Sequence, residues 1–131
     1  MIKKKKIEEL IPQAIKMIER EYNEKHVLPK ELPGYVDNFS AAIIQSGVLP
    51  AVIFNNRDGT EDKFRNKRKL MKIIFELIGI KIDCVKGVLE DMGKNEGRVS
   101  KKLKDKIIVA TIAVKLSLRV FEFDNSEDKE A

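Results

Sequence analysis

The 131-residue sequence has one cysteine, one histidine, no tryptophan, four prolines and seven glycines. A single thiol, Cys84, excludes an intrachain disulfide and a cysteine-rich metal centre, and fits a reducing compartment. With His26 as the only histidine, a zinc site built from His and Cys has at most two such ligands. Aromatics amount to 6%, which argues against a broad platform for stacking bases. No apolar run approaches the ~18 residues of a membrane span, and the opening Lys3–Lys6 run leads into Glu8 and Glu9 rather than into a secretory core. These absences point to a cytoplasmic chain with no membrane partner. Glycine and proline are too sparse for a turn-rich β sandwich, whereas unbranched Lys and Glu favour helix.

The length suits one domain, with no room for a second catalytic one. Hydrophobic residues at 43% supply a core, and charged residues at 36% a highly charged shell. The net charge of +5 is unevenly spread, because residues 122–131 carry −4 and leave +9 on residues 1–121. A basic body of this kind attracts polyanions. The expected organisation is one helical domain over residues 1–123, followed by an acidic, disordered tail over 124–131.

Apolar periodicity predicts an all-α fold, an irregular bundle of about six helices around a buried C-terminal helix. Ile7, Leu10, Ile11, Ala14, Ile15, Ile18 and Tyr22 mark the first helix, with Pro12 either near its first turn or kinking it. Asn23 to Gly34 reads as loop. Tyr35, Phe39, Ala42 and Ile43 mark a second helix stopped by a left-handed Gly47. Val48 to Phe54 reads as a short, largely buried helix. Thr60 is placed to cap the next helix, whose stripe is Phe64, Leu70, Met71, Ile74, Leu77 and Ile78. Ile82, Val85, Val88, Leu89 and Met92 give a fifth. Residues 100–123 give the last, read as helix despite β-branched Ile107 to Val114, because the apolar pattern outruns strand length.

Catalysis fails on inventory. No convergent nucleophile, acid and base can be assembled, no glycine-rich phosphate loop is present, and Glu61-Asp62 and Glu90-Asp91 each split between helix faces. No enzyme activity, metal or cofactor is expected. The informative segment is Lys63 to Lys72. Arg65, Arg68, Lys69 and Lys72 fall at i, i+3, i+4 and i+7, a stripe able to follow successive phosphates. Lys63 and Lys67 lie towards the apolar face and must project or snorkel. The alternative is a solvated face held by Glu61–Arg65 and Lys72–Glu76 pairs. Arg98, Lys101, Lys102, Lys104 and Lys106 form a second basic set, opposing the dipole at the start of the last helix unless an anion or acidic partner offsets them, and the Lys3–Lys6 run adds a third.

The run Ile43-Ile44-Gln45-Ser46-Gly47-Val48-Leu49-Pro50-Ala51-Val52-Ile53-Phe54, led by Tyr35, resembles the signature of the small all-helical subunit of the type III-B (Cmr) CRISPR effector complex. In that family a Tyr-led helix ends in a small polar residue and Gly, then an apolar G-L-x-x-A-L-A-F-like stretch. Gly47, Ala51 and Phe54 match, while Ser46 and Pro50 depart from the commoner residues. The resemblance implies a non-catalytic architectural subunit for antiviral defence. Its copies would stack into a filament with other effector subunits along guide RNA and target RNA. On that reading Lys63, Arg65, Arg68, Lys69 and Lys72, with Lys101, Lys102 and Lys104, face RNA. A free-standing nucleic-acid-binding module, the small subunit of a related CRISPR effector type, and a scaffold for an acidic protein are the alternatives.

Overall fold

The architecture follows from where each apolar stripe finds a partner. The computed structural model describes residues 2–22, 27–81 and 83–124, and within them the chain forms six helices and one pair of two-residue strands. Helix α1 (Ile2–Glu21) buries Leu10, Ala14 and Ile18 at i, i+4 and i+8. Pro12 lies in its interior, on the exposed side. The Glu8 carbonyl that loses its N–H partner therefore lies on the solvent side.

Strand β1 (Val27–Leu28) and a helix beginning at Leu32 interrupt the stretch expected to be loop. Pro33 sits in the first turn of α2 (Leu32–Ser46), where its missing N–H costs nothing, so it starts the helix rather than blocking it. Leu32, Val36, Phe39 and Ile43 face the core. Gly47, at φ 92°, gives its N–H to the Ile43 carbonyl and at once opens α3 (Val48–Asn55). The positive φ explains the glycine. Only Val48, Ala51, Val52 and Asn55 of α3 are buried, so the expectation of a largely buried helix is corrected: Ile53 is 50% and Phe54 54% exposed. Eight residues laid on a surface can hide only one side.

Helix α4 (Asp62–Leu77) starts after Glu61, not Thr60, and has no side-chain cap. It buries Leu70, Met71, Ile73, Ile74, Phe75 and Leu77. In α5 (Cys84–Gly93) the Asp83 carboxylate accepts the N–H groups of Val85 and Lys86. Its buried side is Cys84, Gly87 and Val88, with Leu89 half exposed, a rotation from the expected stripe. Gly87 sets that rotation, since a Cβ there would stand 2.8 Å from Ile80 Cγ2. Ile82, expected in the same stripe, lies outside the described residues.

Helix α6 (Lys101–Leu118) is the central element expected, touching α1, α2 and α4. Nine of its residues are buried, and the hydroxyls of Thr111 and Ser117 satisfy themselves on the carbonyls of Ile107 and Ala113. It stops at Leu118, short of the expected end. After a turn, β2 (Glu122–Phe123) pairs in parallel with β1 in the register Val27 to Glu122 and Leu28 to Phe123. The acidic segment after Asp124 lies outside the described residues. Among those residues no helix is long and apolar enough to cross a membrane.

The start of α6 is held from α5. Ser100 accepts the Leu103 N–H, and Asp91 accepts both the Ser100 N–H and its hydroxyl, each at 2.7 Å. Asp91 thus places a carboxylate at the positive end of α6, the end where Lys101, Lys102 and Lys104 stand. Ser100→Ala removes the cap and one of these bonds, and is expected to lower stability by about 1 kcal/mol. Chemical denaturation checks this, and an unchanged midpoint would show the cap to be idle.

Candidate nucleic-acid interface

Helix directions decide which bases share a surface. The Ser117 hydroxyl reaches the Ile11 carbonyl at 3.4 Å, and Lys6 lines one groove with Lys106, so α1 and α6 run in parallel. Helix α4 runs against them, since Leu77 lines that groove with Leu10 while the Tyr22 hydroxyl meets Asn66 at 2.9 Å. Exposed Lys101, Lys102 and Lys104 therefore start beside the exposed Lys4, Lys5 and Lys6 and the last turn of α4. The first turn of α4, with Lys63 and Arg65, lies about 20 Å away along that helix. The eight bases expected to face RNA thus fall on two separate surfaces.

On α4 the bases are not a bare stripe. Arg65 pairs with Asp62, and Lys72 reaches Glu21 at 3.2 Å. Glu76 is held by Arg20, and Glu61 stands 3.8 Å from Lys63, so the pairs expected along α4, Glu61–Arg65 and Lys72–Glu76, do not form. Arg68 gives Nη1 to the Arg57 carbonyl at 2.6 Å and Nη2 to the Gly59 carbonyl at 3.1 Å. It fastens the loop between α3 and α4, with its donors turned inward.

The remaining cations sit on rings. The Lys63 amine is 5.1 Å from the Phe64 centroid, and that of Lys69 is 4.6 Å from Tyr22. Lys67 stands 5.2 Å from both Tyr35 and Phe54. Arg57 lies 5.8 Å from Phe54 and 5.2 Å from Phe64. Lys63 and Lys67, which fall towards the apolar face by helical phase, are placed there by these rings, each contact contributing about 0.5–1 kcal/mol at an exposed site. Arg57, Phe54, Phe64 and Tyr35 were not among the expected interface residues. Their signal is an aromatic beside a base on either side of a turn, Phe54 with Arg57 and Lys63 with Phe64, which an overall aromatic content of 6% hides.

A groove of about 580 Å³ opens between α4 and the β1–α2 link. Lys30, Arg65 and Lys69 line it, but so do Glu31, Asp62 and Asp124, so its charge is mixed. Among the described residues no group of three or more His, Cys, Asp or Glu could hold a metal ion. His26 lies outside them. Cys84 is buried, its thiol donating to the Met71 carbonyl at 3.7 Å, and burial pushes its pKa up to about 11, so it is a packing residue and a poor nucleophile. Comparisons with protein-family models, with curated proteins and with solved structures find no match to this chain.

Proposed function

We propose that this chain is a non-catalytic, cytoplasmic small subunit of a type III-B CRISPR ribonucleoprotein effector, holding guide and target RNA while other subunits act on it. The observation that carries the reading is the corner at Gly47. The residues that resemble the family signature form a helix, a positive-φ glycine and a second helix. That second helix delivers Phe54, the last matching residue, to the bases of α4. A chain of helices with cations on two surfaces suits sequence-independent contact with phosphate. Self-association would raise a modest affinity per copy through multivalency.

Ultraviolet crosslinking in native cells, followed by sequencing of the RNA bound to this chain, tests the reading. The expected RNA is short guide species and the transcripts complementary to them. Crosslinks to no RNA, or to DNA alone, would sink it. Tight binding of unrelated RNA by the isolated chain would select the free-standing module instead.

A further inference from the structure

We propose that the α3–α4 corner is a stacking site for unpaired bases of single-stranded RNA, with Phe54 as the platform and Arg57 and Lys67 holding the adjoining phosphates. This rests on the RNA reading above and adds which form of RNA the chain accepts and where. Phe54 is a large ring left 54% exposed, on a helix whose opposite side is fully buried. Core packing does not account for its outward half. Two cations stand over that ring, Arg57 at 5.8 Å and Lys67 at 5.2 Å from its centroid. Neither has a carboxylate partner among the described residues, in contrast to Lys63, Arg65 and Lys72, which do.

The corner is also built in advance of any ligand. Arg68 ties down the carbonyls of Arg57 and Gly59. Gly59, at φ 157°, lets the Phe64 ring lie against the backbone, where a Cβ would come within 2.4 Å of it. Phe64 in turn carries the Arg57 guanidinium. An exposed ring with two cations that lack a carboxylate partner among the described residues offers π-surface for a base and charge for the phosphates next to it. A duplex hides its base faces and can use only the charge. An acidic peptide can likewise use only the charge, which is why the ring favours RNA over such a partner.

Fluorescence anisotropy with a short labelled oligoadenylate, a duplex RNA of the same length and a polyglutamate peptide tests the site in the full chain at low ionic strength. Phe54→Leu keeps an apolar side chain and removes the π-face. It is expected to weaken oligoadenylate binding about ten-fold or more while leaving duplex binding and thermal unfolding unchanged, and Phe54→Tyr restores the affinity. Salt-dependent RNA binding that ignores Phe54→Leu overturns the stacking site and leaves the RNA reading standing. Equal losses for single strand and duplex overturn it in favour of a charge effect. Polyglutamate binding lost in Lys67→Glu, with oligoadenylate unaffected, overturns it in favour of an acidic protein. Absence of any RNA binding overturns the site and the reading together.

Discussion

Phe75→Ala is expected to lower folding stability by about 3 to 5 kcal/mol, the range for deleting a buried phenylalanine ring. Phe75 is 1% exposed and shares the buried side of α4 with Leu70, Met71, Ile73, Ile74 and Leu77. Its backbone carbonyl also accepts the N–H groups of Ile78 and Ile80 at the end of the helix, so the residue anchors both the packing and the exit of α4. Against a typical total of about 5–15 kcal/mol, the substitution removes much of the margin. Urea denaturation followed by circular dichroism measures it. A loss under about 1 kcal/mol would mean that α4 is not seated on α1 and α6 as described. Phe54 should behave differently. One phenylalanine holds the helix and the other faces outward from the corner, so only the first should move the unfolding midpoint.

The second large effect is chemical. In the native chain at pH 8, Cys84 is expected to react with an aromatic disulfide at least about a thousand-fold more slowly than in the denatured chain, since reaction requires opening of packed structure. The thiol is buried, and its pKa is pushed up to about 11 first by that burial and then by the neighbouring Asp83. The folded chain keeps a proton that the unfolded chain releases near the ordinary thiol pKa of about 8.5. The contribution of Cys84 is therefore complete below that value and is lost as pH rises towards about 11. Burial also pushes the Tyr22 phenol up, which acts in the same direction at still higher pH. Urea midpoints should fall from pH 8 to pH 11. A rising midpoint, or a thiol that reacts freely at pH 8, would contradict a packed Cys84.

Periodicity alone recovers most of the helices, because long stripes such as Leu10, Ala14 and Ile18 permit one answer. The central helix α6 is legible for the same reason. Its β-branched residues do not make it a strand, since burial on several sides rewards them without a sheet. The misreadings share a physical cause. Pro33 signals a break when read alone, yet a first helical turn has no use for its N–H. Leu89 counts as apolar and Gly87 does not, yet Ile80 needs the space that glycine leaves. The strands β1 and β2 join residues far apart in the chain and offer no local signal.

The candidate interface is less legible than the fold. Helical phase groups Arg65, Arg68, Lys69 and Lys72 correctly on α4, but it cannot foresee Asp62, the Arg57 and Gly59 carbonyls, Tyr22 and Glu21, which engage them in turn. It also cannot show that Lys101, Lys102 and Lys104 start beside Lys6 rather than beside Lys63, because that depends on α1 and α6 running in parallel. Charge is visible in a sequence, whereas the partners that use it up are tertiary facts.

Purification of the tagged chain from its native host at moderate salt, with identification of every co-purifying protein and RNA, tests directly whether it is an effector subunit. Recovery with the backbone subunits of a CRISPR effector and with short guide RNAs is the expected result. Recovery alone, or with unrelated proteins and no small RNA, would contradict it.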